Sequence, residues 1–283
     1  MTYRKILTPL FADNADEVVA RHAMSIARAF AGHVSALVVR PNPTSTIRQI
    51  DPTLSARIIQ ELIDAARAAT KTELARVRTL LSTAAQSEGL AEQQASPGWS
   101  VEVREGIVED AVAQEALLSD LTVFAHPSEH SEHPIWASIE GALLSSHRPL
   151  IVFPLGVADF LEKKVVVGWD GSRAASHAIF SALPLLHRAA AIEVVTVGSG
   201  PVEQALLERC GRYLRLHGLN STQRLVQPGA TGIGAALADA AREANARLLV
   251  VGGYGHSRLR EMVVGGVTRH LLAHASIPVF MAH

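Results

Sequence analysis

The sequence holds a single cysteine, Cys210, in 283 residues. That scarcity excludes an intrachain disulfide framework and a cysteine-built zinc cluster, and it fits a reducing compartment. An excess of either charge is missing too: 26 Lys and Arg against 27 Asp and Glu leave a net −1, with an isoelectric point near 6.9. So balanced a chain does not bind nucleic acid or anionic lipid through a broad basic field. No apolar run approaches the roughly 20 residues of a membrane-spanning helix, since 150–153 and 248–251 are only strand-sized. The short apolar stretch at 6–12 runs at once into Asp13, Asp16 and Glu17, unlike a secretory signal. A cytoplasmic protein with neither a nucleic-acid nor a membrane partner is expected.

Familiar catalytic patterns are missing as well. There is no Gly-x-x-x-x-Gly-Lys-Ser/Thr phosphate loop, no Gly-x-Ser-x-Gly nucleophile elbow and no His-Glu-x-x-His. No pair of carboxylates stands out as acid and base. Cys210 falls in a helical pattern, where a core or surface thiol is the default. The sequence supports binding better than turnover.

What is present is a large apolar fraction, 48%, arranged twice over. The two halves open alike, with Lys5-Ile6-Leu7-Thr8-Pro9-Leu10 and Lys164-Val165-Val166-Val167-Gly168-Trp169, and close alike around 148–154 and 276–281. Between these marks, short β-branched runs alternate with helical patterns, the signature of βαβ units in a parallel sheet. Strands are predicted near 5–10, 33–40, 101–105, 121–126 and 150–153, then near 164–169, 191–197, 222–226, 247–252 and 278–282. Helical stripes are formed by Val19, Ala23, Ile26, Ala27 and Phe30, by Leu54, Ile58, Leu62, Ala66 and Ala69, and by Ala178, Ile179, Ala182, Leu185 and Leu186. Two α/β domains follow, 1–156 and 160–283, each a five-stranded, mainly parallel sheet flanked by helices. They are unequal. The region 51–88 is long enough for extra turns or a break, whereas its counterpart, 201–217, is short; 87–100 reads as a flexible surface loop.

The most informative segment is 252–269, from the carboxyl end of the fourth strand of the second half to the start of its last helix. Gly252, Gly255 and Gly265 are spaced by two and then nine residues. Glycines let backbone approach a ligand, and the N–H groups opening the helix after Gly265 have no intrahelical partners and can bind an anion such as phosphate. In an open α/β sheet, ligands sit outside the carboxyl ends of the strands. Asp170 closes the first strand of the same half, where its oxygens can meet a nucleobase amine or a ribose hydroxyl. Asp170-Gly171-Ser172 reads equally as an ordinary turn with a helix N-cap. His256, Arg258 and Arg260 lie within the glycine segment, either as polyphosphate partners or as solvent-facing loop groups. His126, His130 and His133, with Glu129 and Glu132 nearby, are expected to be structural or merely exposed, because a Pro-bounded loop does not converge them on a metal.

Together, the glycine spacing and Asp170 resemble the universal stress protein family, over the whole second half by motif and over the first half by layout. The resemblance implies a tandem protein of that family's Rossmann-like fold, with ATP or another adenine nucleotide, and Mg with it, bound in the second domain. The implied binding residues are Asp170, Gly252, Gly255, His256, Gly265, Gly266, Val267 and Thr268. It further implies that the last strands, near 151–153 and 279–281, pair within one chain as an intramolecular pseudo-dimer, which would also cover two sheet edges. A homodimer of chains is compatible with it.

The chain departs from the family's pattern in two places. Gly266 stands where the family has Ser or Thr, which removes a hydroxyl for phosphate worth on the order of 1 kcal/mol; Thr268 is a partial substitute. The first half has no glycine between Gly106 and Gly141, and Phe11 stands where the second half has Asp170. Trp136 falls near the place of Gly265, so the first half is expected to bind no nucleotide. A cytoplasmic adenine-nucleotide sensor in stress response is the leading expectation. A scaffold that has kept the fold and lost the ligand, and a slow ATP hydrolase, are its rivals.

Overall fold

The computed structural model of the chain describes residues 2–41, 55–127, 133–157, 159–229, 231–254 and 266–283. In chain order the first half contains β1 (Lys5–Leu10), α1 (Asp16–Phe30), β2 (His33–Arg40), α2 (Ala56–Gln86), β3 (Gly98–Glu105), α3 (Val108–Leu117), β4 (Leu121–Ala125), α4 (His133–Ser146) and β5 (Leu150–Phe153). The second contains β6 (Lys164–Gly168), α5 (Arg173–Leu186), β7 (Ala191–Val197), α6 (Pro201–Leu216), β8 (Thr222–Val226), α7 (Gly232–Glu243), β9 (Leu248–Gly252), α8 (Val267–His274) and β10 (Val279–Ala282).

All ten strands share one sheet, in the order β3-β2-β1-β4-β5-β10-β9-β6-β7-β8. From either edge inward the order is third, second, first, fourth, fifth. Neighbours are parallel within each half. The exception is the seam, where β10 runs antiparallel to β5 with Val279 opposite Val152, Phe280 opposite Ile151 and Met281 opposite Leu150. Parallel neighbours require crossovers, and the crossover helices cover both sheet faces, so the central strands carry unbroken apolar runs in place of alternation. Every residue of β5 and β10 is buried. On β6, Val165 and Val167 join the apolar cluster on one face while Val166 joins the cluster on the other, as the two-residue period of a strand dictates.

In each half the chain leaves the first strand toward the second on one side and has the fourth on the other. That reversal opens a crevice at the carboxyl ends of β1 and β4, and of β6 and β9.

One reading of the first half is corrected: 87–100 is not loop throughout. Residues 98–100 belong to β3, which begins three residues earlier than predicted because Trp99 is sealed into the core at 2% exposure. Region 56–86 is one unbroken helix of 31 residues, roughly 46 Å long, since it contains neither Gly nor Pro. Its N-terminal stripe is not a core face: Ile58 and Leu62 are each 43% exposed. Among the described residues the helix is moored by its C-terminal half, through buried Val77, Leu81 and Ala85 and the partly buried Leu74, helped by ion pairs of Glu73 with Arg40 and of Arg76 with Asp16. Among the described residues no helix is long and apolar enough to cross a membrane.

Candidate functional site

The crevice of the second half is a cleft of about 120 Å³ at the carboxyl ends of β6 and β9. Its walls are apolar, from Val195, Val197, Ile233, Leu237 and Val251, and its polar rim comes from Asp170, Ser172, Tyr254 and Thr268. Gly252 lines it where β9 ends against the first turn of α5. A Cβ on Gly252 would stand 2.4 Å from the backbone nitrogen of Ala175, so only glycine lets the strand end there.

The turn into α5 starts from Trp169, whose indole N–H donates to the carbonyl of Leu206 at 3.0 Å and whose carbonyl accepts the Thr196 hydroxyl at 2.6 Å. Asp170 is exposed, and its carboxylate accepts the N–H of Ser172 at 2.9 Å. The Ser172 hydroxyl in turn caps α5 by accepting the N–H of Ala175 at 3.1 Å. The turn-and-cap arrangement is therefore present, and Asp170 borders the cleft as well. The two are compatible, since a carboxylate has roughly four acceptor positions.

Across the cleft, α8 begins at Gly266, its N-cap, with no side-chain cap. The first intrahelical bond is from His270 N–H to the Gly266 carbonyl at 3.0 Å, so the N–H groups of 267–269 precede it. The Thr268 hydroxyl, 3% exposed, accepts the N–H of Tyr254 at 3.1 Å and so ties the end of β9 to α8. Of the candidate residues, Asp170, Gly252, Val267 and Thr268 border the one cleft, and Gly266 is the N-cap beside Val267. Gly255, His256 and Gly265, with Arg258 and Arg260, lie outside the described residues.

At the corresponding turn of the first half, after β1, the protein's own groups bond to one another. The N–H groups of Phe11 and Ala12 donate to the two oxygens of Asp16, each at 3.0 Å, and Ala12 takes a positive φ of 64°. Asp16 is 2% exposed; burial raises its pKa more than the N–H bond from Phe11 and the nearby Arg76 lower it. Phe11, Ile135 and Trp136 pack onto the apolar cluster of that face. His126 donates its backbone N–H to Phe153 at 2.7 Å, and burial holds its imidazole near pKa 4. His130 lies outside the described residues, and among those described no cluster of His, Cys, Asp and Glu can hold a metal.

Sequence reading missed Tyr254, which borders the cleft at φ 52° and whose hydroxyl reaches Glu140 of α4 at 2.9 Å. The available signal was a bulky residue between two motif glycines.

Residues 230–283 match the model of the universal stress protein family. The match lies wholly within the second half, from the start of α7 to the end of β10. Over its whole length it has the fold of a solved universal stress protein from Archaeoglobus fulgidus, 15% identical, with a TM-score of 0.72 over 99% of this chain and 96% of that one. A functionally unknown protein from Pseudomonas aeruginosa is similar at 14% identity and TM-score 0.61, covering 98% of this chain and 92% of its own. A solved putative universal stress protein, also from Pseudomonas aeruginosa, is similar at 13% identity and TM-score 0.55, with the same two coverages. No curated protein matches the chain.

Proposed function

We propose that this universal stress protein is a cytoplasmic adenine-nucleotide sensor whose second domain, 160–283, binds ATP or a related nucleotide together with Mg. The observation that carries this reading is the convergence of Asp170, Gly252, Val267 and Thr268 on one cleft at a sheet reversal, beside an uncapped helix N-terminus. The apolar walls suit a planar base, Asp170 accepts from the nucleoside, and the N–H groups opening α8 face the phosphates. The residues present fit such a ligand: Gly252 adds no side chain where it lines the cleft, and Gly266 adds none at the helix start. Phosphate contacts by Gly255, His256 and Gly265 belong to the same proposal. The first domain, 1–156, acts as a nucleotide-free partner, joined to the second as an intramolecular pseudo-dimer. Signalling then requires that nucleotide prefer one conformation of the site over another, and that a partner read the difference.

Calorimetric titration of the purified chain with Mg-ATP, ATP and AMP tests the proposal. Saturable binding is expected, weakened about tenfold by Asp170→Ala through loss of one hydrogen bond to a charged group. No saturable heat at millimolar nucleotide overturns it. A second reading, a scaffold without ligand, is favoured by one observation: the hydroxyl nearest the helix start, that of Thr268, is buried and holds Tyr254.

A further inference from the structure

Glu140 belongs to α4, in the half without the glycine motif, yet its carboxylate accepts the hydroxyl of Tyr254 at 2.9 Å. Tyr254 borders the cleft of the other half. Its backbone sits in the left-handed region, which a non-glycine residue occupies only when neighbours hold it there. The neighbours are visible. Gly253 donates its N–H to Ala282 at 2.9 Å and accepts from His283 Nδ1 at 2.9 Å, and Tyr254 donates its N–H to Thr268 at 3.1 Å. Those three bonds hold the main chain, and the bond to Glu140 ties the side chain of the same residue to the first half. It pairs a phenol with a carboxylate, the stronger class of hydrogen bond. The guanidinium of Arg269, 4.0 Å away on α8, faces the same carboxylate.

We propose that Glu140 is a positioning residue for the nucleotide cleft: by holding the Tyr254 ring it sets one wall of that cleft, so the first half completes a site that it does not itself contain. The ligand in this inference rests on the proposed nucleotide reading; the geometry does not.

The test uses the full chain as wild type, Glu140→Ala, Tyr254→Phe and the double variant, each titrated with Mg-ATP and each followed by amide hydrogen exchange at 250–254. Both single variants should bind about fivefold more weakly, and the double variant no more weakly than either, because one shared interaction is removed in all three. Glu140→Gln, which keeps an acceptor, should restore most of the affinity. Exchange of the Tyr254 amide should quicken in Glu140→Ala while the melting temperature stays near that of wild type, a combination that a purely structural role would not give. Wild-type affinity in both single variants, or losses that add in the double, overturns the proposal. If wild type binds no Mg-ATP, the nucleotide reading fails alone and exchange decides this one: unchanged protection of Tyr254 in Glu140→Ala overturns it, and quickened exchange upholds it.

Discussion

Gly252 is held by contact as much as by chemistry. It lines the cleft without a side chain, and a Cβ there would press on the main chain of Ala174 and Ala175, which cannot swing aside as a side chain can. Gly252→Ala should therefore lower stability by about 1–3 kcal/mol, the usual cost of overpacking, even with no ligand present. Urea unfolding with an unchanged midpoint would contradict this. A conserved-looking glycine spacing thus has two causes at this position, and binding measurements on Gly252 variants need the stability control. Cys210 resolves the other way. It is 3% exposed, and burial pushes its thiol up to about 12, so it is an inert core residue. Native protein should resist iodoacetamide at neutral pH and react once unfolded; fast native labelling, read by mass spectrometry, would refute that.

At the scale of elements, α1 docks on the sheet through His22, which is 2% exposed and stacks on Phe153 of β5 with ring centroids 4.1 Å apart. Burial lowers its pKa from 6.5 to about 4. A base whose folded pKa is depressed stabilises the fold fully above its unfolded value, and the contribution is lost as pH falls toward the folded value. Between about pH 6.5 and 4 the chain should lose on the order of 3 kcal/mol through this group. His22→Phe, which keeps a ring against Phe153, should lose less over the same window in denaturant titrations at each pH; an identical pH dependence would remove His22 from the account. Helix α2 makes a contrasting case. Its Ile58 and Leu62 stripe has helical spacing, yet among the described residues its core contacts begin at Leu74. Leu62→Lys should change stability by no more than about 0.5 kcal/mol, checked by the urea midpoint. Periodicity reports which residues share a face and not whether anything covers that face, which is why this stripe misleads when read alone.

For the molecule as a whole, the layout was legible because buried parallel strands are short unbroken apolar runs that little else imitates, as in 164–168 and 248–252. The cleft was legible in part. Gly252 and Asp170 lie 82 positions apart in the sequence, but both end strands flanking a sheet reversal, a place that topology alone marks for ligands. What could not be read were particular side-chain bonds: the Asp16 carboxylate taking the N–H groups of Phe11 and Ala12, and the bond from Tyr254 to Glu140 across 114 residues. Both concern the first half, whose absent motif said only that it lacks a site. Its own carboxylate holds the turn after β1, and its α4 reaches the crevice of the other half. The central claim is that nucleotide occupies the second half alone. Backbone chemical-shift mapping of the full chain during titration with Mg-ATP tests it most directly. Saturable shifts confined to 168–175, 195–198, 251–254 and 266–270 are predicted, with 10–16 and 133–137 silent except where α4 meets Tyr254. Saturable shifts at 10–16, or none anywhere, would contradict the account.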